Sequence, residues 1–361
     1  MLNAAPPRPA EIRFFPDYRD FNPYQALLYR SLGPTVVASP LANFEALTSE
    51  AGTENATKIL HLHWETAAIS NGGFSPEAFL DTLSQFRNGG GRIVWTMHNL
   101  LPHTARERAV AEQIRGGLLT LVDIVHLHSL PALAAAMQHH ALPLNKVRII
   151  PHGNYDGIYP AILRDKARAV LDLDAARTVV LLPGQIRAYK APSALIDAFL
   201  ETAGPDDRLI LAGYRVSDVA DLSLPDDPRI IASFGFLTNE DLSQVYAAAD
   251  IVALPYTDSL TSGSAILAQT LGRGVLGSDT AGLRDVVTTP ATGVLYDQDA
   301  PDGLADALQA ALNEGPETWA ARGKEALQAV RARDWAMIGP TWRALFEELS
   351  HMHQHARVST P

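Results

Sequence analysis

The chain has 361 residues, more than one hydrophobic core usually serves, so two domains are expected. Its 47% hydrophobic and 19% charged residues are typical of a folded globular protein and exclude a largely disordered one. A net charge of −11 argues against nucleic acid as the main partner, because phosphate binding needs a basic surface. The lack of cysteine excludes disulfides, thiolate metal sites and cysteine nucleophiles.

The sequence lacks the usual signals of export or membrane insertion. Residues Met1–Glu11 are rich in alanine and proline and lack the long apolar stretch of a signal peptide. No uncharged apolar run approaches the roughly 20 residues that span a bilayer. We therefore expect a cytoplasmic protein.

Short apolar runs alternate with amphipathic segments along the chain, a pattern typical of parallel βαβ units. In the first half, strands are predicted at Ile12–Phe15, Thr35–Ala38, Lys58–Trp64, Arg92–His98, Asp123–His128 and Lys146–Pro151. Helices are predicted at Pro76–Arg87, Ala105–Leu121 and Ala132–His139. These elements predict a first doubly wound α/β domain over residues 1–160.

The second half repeats the pattern. Its predicted strands are Thr178–Pro183, Arg208–Ala212, Arg229–Ala232, Asp250–Pro255, Gly274–Gly277 and Thr292–Tyr296. Its predicted helices are Pro192–Thr202, Asn239–Ala249, Ser264–Leu271 and Asp302–Asn313. They indicate a second doubly wound domain over residues 161–335, reached by a connection over Pro160–Ala176, and a last helix over residues 336–356. Ligands of such sheets bind beyond the carboxyl ends of the strands, so the residues there are the site candidates.

A basic loop follows the first strand of the second domain. The segment Val179–Pro192 reads VVLLPGQIRAYKAP: a buried strand runs into Gly184, and Pro192 is placed to open a helix. Arg187 and Lys190 lie beside that helix start, whose free N–H groups and dipole favour anions. A guanidinium with an ammonium suits a diphosphate. A solvated basic loop without a ligand fits the spacing equally well.

A second candidate anion site follows the strand Asp250–Pro255. A polar loop leads to Ser262, Gly263 and Ser264, where a helix is predicted to begin. A serine there can cap the helix, which is worth about 1 kcal/mol, and the glycine lets a ligand approach the backbone. Two such helix starts in one domain tip the balance toward a nucleotide diphosphate.

These two segments, in this order, resemble the donor domain of the GT-B glycosyltransferases, in particular the family-4-like group 1 enzymes. The residues that carry the resemblance are Gly184, Arg187 and Lys190, then Pro255, then Gly272-Arg273-Gly274-Val275. Three segments of the first half are similar to those of proteobacterial glycosyltransferases for exopolysaccharides and related glycans. They are NPYQALLY (Asn22–Tyr29), WTMHNLLPH (Trp95–His103) and PHGNYDGIYP (Pro151–Pro160).

The resemblance implies a GT-B fold: two tandem Rossmann-like domains and a C-terminal helix that packs back on the first. It implies transfer of a hexose from a UDP- or GDP-sugar to a glycan or polyprenyl-diphosphate-linked glycan in the interdomain cleft, without a metal or other cofactor. Peripheral contact with the cytoplasmic face of the inner membrane stays open. The diphosphate-binding residues implied are Arg187, Lys190, Ser262, Gly263 and Ser264. Residues expected near the nucleotide or sugar are Gly184, Gly213, Phe236, Tyr256 and Asp258, and those expected in the cleft are His152 and Asn154.

One pair of family residues is replaced in this chain. Family-4 enzymes usually carry two glutamates eight positions apart, one near the reacting sugar and one on the ribose. Counted from Pro255, those positions are Ser259 and Leu267, which cannot act as carboxylates. The ribose contact and the choice between retaining and inverting transfer therefore stay open.

The chemistry of the first domain is expected from residues at its strand ends. His98 ends the strand in WTMHN, where resembling enzymes place a histidine that meets the donor sugar. Glu65 and Asp17 follow other strands and are base candidates for an inverting reaction, which needs a general base at the acceptor hydroxyl. Each acid taken alone is more often a helix cap or a surface charge.

A metal site is the weaker interpretation of the histidines in this domain. His61, His63 and Glu65 alternate and so share one strand face, and two histidines with a carboxylate can bind a metal. Three ligands from one short strand are geometrically awkward, so packed histidines are favoured. His126 and His128 repeat the spacing and are interpreted in the same way.

Three other functions compete with glycosyl transfer. A nucleotide-sugar epimerase of the same fold would need paired acids around the sugar and no acceptor site. A two-domain solute-binding protein would carry a secretion signal and no diphosphate cradle, and the sequence indicates the reverse on both counts. A non-catalytic protein that binds sugar or nucleotide is the third, because the glutamate pair is missing.

Overall fold

The computed structural model describes residues 10–49, 58–70, 72–100, 102 and 105–358 and divides the chain into two compact units. The first unit comprises Met1–Gly153 and Trp335–Pro361, and the second comprises Asn154–Asp334. Residues 1–9 of the N-terminal segment, and Leu101 and His103 of the WTMHNLLPH segment, lie outside the described residues.

The boundary between the units falls earlier than the sequence predicted, after residue 153 instead of 160. The reason is that the segment after Gly153 is anchored in the second unit. The Asn154 N–H donates to the Arg333 carbonyl at 2.8 Å, and the Tyr155 N–H donates to the Thr270 hydroxyl at 3.3 Å.

The first unit contains a parallel six-stranded sheet in the order β2-β1-β3-β4-β5-β6. Its strands are β1 Ala10–Phe15, β2 Val36–Pro40, β3 Lys58–Leu62, β4 Arg92–Thr96, β5 Ile124–Leu127 and β6 Val147–Ile149. Its helices before the second unit are α1 Pro23–Arg30, α2 Ala46–Ser49, α3 Ala67–Ser70, α4 Pro76–Asn88, α5 Ala105–Leu121 and α6 Leu130–His139. Helix α1, absent from the predicted helices, begins at Pro23 because the Asn22 side chain accepts the Tyr24 N–H at 3.0 Å.

The second unit contains another parallel six-stranded sheet, in the order β12-β11-β10-β7-β8-β9. Its strands are β7 Val179–Pro183, β8 Arg208–Gly213, β9 Ile230–Phe234, β10 Ile251–Leu254, β11 Gly274–Ser278 and β12 Gly293–Tyr296. Its helices are α7 Arg164–Val170, α8 Pro192–Thr202, α9 Asn239–Ala248, α10 Gly263–Thr270, α11 Ala281–Arg284 and α12 Gly303–Ala329. Strands lie at every predicted position in both units.

The short helices α2, α3 and α11 were not predicted either, and the structure also differs from the prediction at α7, α12 and α13. The supposed connection Pro160–Ala176 contains α7, which packs on α9 as part of the second unit. Helix α12 runs past the predicted end at Asn313, broken at Gly315, whose φ of 79° is outside the helical region. The last helix, α13 Trp335–Val358, begins one residue earlier than predicted and belongs to the first unit. No helix in the described part of the chain has the length and apolarity needed to cross a bilayer.

The strand order of each sheet reverses at one point. Strand order reverses between β1 and β3 in the first unit and between β7 and β10 in the second, and ligands of doubly wound sheets bind at such points. In the second unit, the Gly184–Lys190 loop follows β7 and the loop that leads to Ser262 follows β10. The two segments singled out in the sequence therefore flank the same reversal point.

Asp250 fixes α7 to the central strands of the second unit. One carboxylate oxygen accepts the Val179 N–H at 2.8 Å and the Arg168 guanidinium at 2.5 Å, and the other accepts from Arg164 at 2.9 Å. Arg168 also donates to the carbonyls of Ala176 and Ala248. Asp250 and Arg168 are both buried, so neither charge has water to replace a lost partner.

We expect Asp250→Asn to lower the free energy of unfolding by about 3–5 kcal/mol, because it leaves the buried Arg168 guanidinium without its counter-charge. Asp165→Asn is the matched control, since Asp165 also faces Arg164, at 3.9 Å, but its side chain is 96% exposed. That change should stay within about 0.5 kcal/mol. Urea unfolding of both variants makes the comparison, and equal effects would contradict the role given to Asp250.

Candidate active site

Lys190, Gly184 and Ser264 meet at the reversal point of the second sheet. The position that a Cβ atom would take on Gly184 lies 3.2 Å from Lys190 Nζ and 3.8 Å from Ser264 Oγ. Gly184 has a φ of +81°, which glycine adopts at little cost. A side chain here would therefore occupy the space that the ammonium and the hydroxyl face.

The turn before α8 inserts the lysine side chain into the unit. Residues Ala188–Lys190 form one 3-10 turn, and Ala191, which follows it, has a left-handed φ of 47°. A non-glycine residue pays of order 1 kcal/mol for this conformation, which is typical of functional sites. Pro192 then opens α8, so the free N–H groups of that helix lie next to Lys190 in sequence.

Lys190 is a buried lysine that lacks a carboxylate partner within the described residues. Its side chain is 4% exposed, and Nζ donates to the Pro183 carbonyl at 2.8 Å. Burial, together with the nearby positive charge of Arg187, lowers the pKa of Lys190 to about 7. An anion placed beside Nζ would restore the charged form, so the geometry favours anion binding.

Arg187 lies at the edge of the same loop and is partly exposed. Its Nε donates to the Gln185 side chain at 2.9 Å, and its guanidinium is 4.0 Å from the Asp218 carboxylate. Both contacts are formed near the surface and are weak enough to exchange for a ligand. The structure thus places Arg187 close enough to Lys190 to lower its pKa, as a second cation of one site.

The loop after β10 supplies the opposite side of the site. Ser262 caps α10 by accepting the Ala265 N–H at 3.2 Å, as the predicted capping role requires. Tyr256 is buried with its ring 5.7 Å from Lys190 Nζ, and the Thr257 N–H donates to the Tyr189 carbonyl at 2.8 Å. That backbone bond joins the loops after β7 and β10.

Three other residues expected near the donor differ in how close they lie to Lys190 and the reversal point. Gly263 lies at the start of α10, where a Cβ would approach the Tyr155 hydroxyl to 2.8 Å. Asp258 is half-buried in the loop after β10. Phe236 is 72% exposed and follows β9, the edge strand, so it lies two strands away from the reversal point.

Gly213 allows the closest backbone approach in the site. It ends β8 with a φ of +140°, and a Cβ there would overlap the Gly184 carbonyl oxygen. The Gly184 N–H donates to the Ala212 carbonyl at 2.8 Å, which holds the two chains in contact. Glycine at position 213 therefore sets the path of the Gly184–Lys190 loop.

In the first unit, His98 lies beyond the end of β4 and is partly exposed. Its ring stacks on Trp64 with centroids 4.3 Å apart, and its Nε2 is 3.0 Å from His63 Nδ1. Burial and the neighbouring histidines hold the pKa of His98 well below its usual range. The imidazole is therefore neutral at physiological pH, suited to accept or donate one hydrogen bond and not to act as a cation.

The two carboxylates expected as bases are engaged elsewhere. Glu65 is buried and pairs with the Arg115 guanidinium at 2.6 Å, which also donates to the Asn99 and Leu100 carbonyls. Asp17 forms a two-point pair with Arg19 at 2.8 Å, and this pair lowers the pKa of Asp17. Glu65 is thus an anchor for the loop after β4, and Asp17 is a weak base.

The two residues expected in the cleft are buried in different units. His152, in the first unit, donates from Nδ1 to the Gly153 carbonyl at 2.7 Å, and its ring lies 4.5 Å from that of Tyr24. Asn154, in the second unit, donates from its side chain to the Val330 carbonyl at 3.2 Å. Each of these contacts lies within one unit and supports its packing.

Histidines of the first unit contact hydroxyls and one another instead of converging with an acid. His61 and His63 both bond the Tyr29 hydroxyl, while Glu65 turns to Arg115. Among the described residues, no group of three or more His, Asp or Glu side chains is arranged to hold a metal ion. The sequence analysis did not identify Tyr29 as the hydroxyl that joins His61 and His63. The His-Leu-His sequence that occurs at both β3 and β5 was the pattern that could have indicated a buried histidine cluster.

Part of the chain matches a known protein family. Residues 177–314 match the family model described as "Glycosyl transferases group 1". The second unit contains a group 1 glycosyltransferase domain. Both the basic loop and the Ser262 loop of this glycosyltransferase domain lie inside the matched range.

Relatives and solved structures extend the likeness. A "D-inositol 3-phosphate glycosyltransferase" from Rhodococcus opacus is 31% identical over 211 residues, 55% of this chain and 47% of that protein. The chain therefore spans about half the length of that curated relative. The Anabaena protein Alr3699/HepE in complex with UDP superposes with a TM-score of 0.70 at 14% identity, over 94% of this chain and all of the other.

A sucrose-phosphate synthase from Thermosynechococcus elongatus gives a TM-score of 0.68 at 20% identity, covering 88% of this chain and 82% of that one. At such identities the superpositions establish the fold. The chain has the GT-B fold, with a Rossmann-like sheet in each unit. This confirms the fold that the resemblance of the sequence motifs to GT-B glycosyltransferases implied.

We expect Gly213→Ala to destabilise the glycosyltransferase domain more than Gly235→Ala does. Both glycines have similar φ values, +140° and +147°, so both variants carry backbone strain of about 1–3 kcal/mol. Only at Gly213 does the added Cβ also meet backbone, that of Gly184, since nothing lies within 4 Å at Gly235. Thermal unfolding of both variants isolates the clash. Equal losses would contradict the close approach.

Proposed function

We propose that the chain is a metal-independent glycosyltransferase that moves a hexose from a UDP- or GDP-sugar to a glycan or lipid-linked glycan. Lys190 is the observation that carries the proposal: a buried ammonium without a carboxylate partner in the described residues, beside a helix start at a sheet reversal point. Leaving such a charge unpaired is costly unless an anion arrives.

The donor class is supported by chemistry and by likeness. Arg187 and Lys190, together with the starts of α8 and α10, supply positive potential where a diphosphate would bind, which supports a site that needs no metal. The solved relative from Anabaena was obtained with UDP, and with UDP-glucose. We therefore favour a uridine donor over a guanosine one.

The acceptor is proposed by class alone. The Rhodococcus opacus relative carries D-inositol 3-phosphate in its name, which makes that compound a useful first probe. A glycan or polyprenyl-diphosphate-linked glycan is the acceptor that we propose. We place the reaction in the cytoplasm, at the inner-membrane face if the acceptor is lipid-linked.

Lys190→Met should weaken UDP binding by about 10- to 100-fold, because it removes a charge-assisted contact worth about 1.5–3 kcal/mol. Lys166→Met is the control, since Lys166 is an exposed residue of α7. The readout is the thermal shift with UDP, GDP and ADP, each with magnesium and with EDTA. An unchanged UDP shift in Lys190→Met would refute the phosphate assignment.

His98→Gln should leave UDP affinity within about twofold and lower sugar transfer at least about tenfold, because His98 is assigned to the sugar and not to the diphosphate. UDP release from UDP-glucose is measured with and without D-inositol 3-phosphate. If turnover of that variant equals wild type, His98 has no part in the reaction.

A further inference from the structure

A continuous chain of hydrogen bonds links His98 to a backbone carbonyl in the first unit. It runs from His98 to His63 (3.0 Å), to the Tyr29 hydroxyl (2.7 Å) and to His61 (2.9 Å). It continues to the Thr96 hydroxyl (2.8 Å), to His126 (3.0 Å) and to the Ile150 carbonyl (2.9 Å). Its members come from α1, β3, β4, β5 and β6 and from residues that closely follow those strands.

The carbonyl at one end fixes the direction of the bonds nearest to it. The Ile150 carbonyl can only accept, so His126 Nε2 carries a proton. In a neutral imidazole His126 Nδ1 is then an acceptor, and the Thr96 hydroxyl must donate to it. A hydroxyl has one proton, so Thr96 accepts from His61 Nε2.

Each following hydroxyl or neutral imidazole also donates one hydrogen bond and accepts one, so the donor of every bond as far as His98 is fixed. With a proton on Nε2, His61 accepts at Nδ1 from the Tyr29 hydroxyl, and Tyr29 accepts from His63 Nε2. His63 Nδ1 then accepts from His98 Nε2. His98 therefore carries its proton on Nε2, and its Nδ1 has a free lone pair.

This sequence of assignments requires every histidine of the chain to be neutral. Burial is the largest cause that lowers the pKa of His61, His63 and His98 well below the usual range, and it lowers that of His126 to about 3. An added proton on His61, His63 or His126 would instead let the bonds between that histidine and His98 run in the reverse direction, so neutrality keeps the direction fixed. With a neutral His126 the reverse direction is excluded, because the lone pair of His126 Nε2 would face the carbonyl oxygen.

His98 Nδ1 is available to a ligand. Within the described residues it has no hydrogen-bond partner, and the ring is partly exposed. Stacking on Trp64, with 12° between the planes, and the edge of the Tyr24 ring at 5.5 Å restrict rotation of the imidazole. The position of His98 Nδ1 is therefore fixed by the packing of its ring.

We propose that the Ile150 carbonyl, acting through this chain, holds His98 as the Nε2–H tautomer and makes His98 Nδ1 an obligate hydrogen-bond acceptor for a carbohydrate hydroxyl. Tyr29, His63 and Thr96 are positioning residues in this device. The assignment of a carbohydrate ligand rests on the proposed function; the tautomer does not. A ligand group that can only accept, such as a phosphate oxygen, is disfavoured at this nitrogen.

Two-bond ¹H–¹⁵N spectra of the ligand-free protein test the tautomer, because protonated and unprotonated imidazole nitrogens resonate far apart. We expect His98 to show an unprotonated Nδ1. Thr96→Val interrupts the chain with little change of shape and should turn His98 into a mixture of tautomers. Thr96→Ser keeps the hydroxyl and should restore the wild-type pattern.

A second pair of variants separates the chain from general packing. Tyr29→Phe removes a hydroxyl within the chain and should release the tautomer of His98. Tyr24→Phe makes the same change on a ring that also touches His98, but its hydroxyl is outside the chain, and it should leave the tautomer fixed. A protonated Nδ1 in the wild type, or a fixed tautomer in Thr96→Val and Tyr29→Phe, would overturn the proposal.

The resonance of His98 Nδ1 also distinguishes a hydroxyl of the donor sugar from a hydroxyl of the acceptor. Addition of UDP-glucose should shift the His98 Nδ1 resonance while UDP alone leaves it in place, which assigns the donor sugar. A shift that needs D-inositol 3-phosphate as well assigns the acceptor, and either result supports a hydroxyl-accepting nitrogen. UDP binding with no Nδ1 shift under any condition would overturn the ligand assignment while leaving the proposed function intact.

Discussion

The buried ammonium of Lys190 is the constraint on which the second unit's site depends. It occupies the point where the strand order reverses, with a backbone carbonyl as its hydrogen-bond partner and a pKa lowered to about 7. A left-handed alanine and two positive-φ glycines, Gly184 and Gly213, hold the loop that carries it. The buried ammonium and the left-handed alanine both cost folding free energy, and in the proposed function an incoming diphosphate offsets the larger of these two costs.

The two sheets supply this site and its counterpart by the same geometric rule. Each reverses its strand order once, and each gathers polar residues beyond the strands at that reversal. The second unit presents cations and helix starts, which suit an anion. The first unit presents neutral imidazoles, hydroxyls and aromatic rings around His98, which suit uncharged hydroxyl groups. The division of chemistry between the units is consistent with a donor phosphate and a sugar.

The sequence predicted the strands and the basic loop because both depend on local pattern. Buried strands such as β7 are continuous apolar runs. Pro192 follows a short loop, and a proline in that position is typical of the first residue of a helix. The ion pair of Glu65 could not be predicted, because its partner Arg115 lies 50 residues away in the sequence. The chain from His98 to Ile150 joins residues of five elements of the first unit, so its direction becomes readable only when the atoms are in place.

Proton uptake on UDP binding tests the role of Lys190 most directly. At pH 8 the diphosphate is already ionised, while a lysine with a pKa of about 7 is mostly neutral. Calorimetric titration with UDP in buffers of different ionisation enthalpy should therefore show uptake of close to one proton in the wild type and none in Lys190→Met. UDP binding without proton uptake in the wild type would contradict the account, because the diphosphate would then not be facing this ammonium.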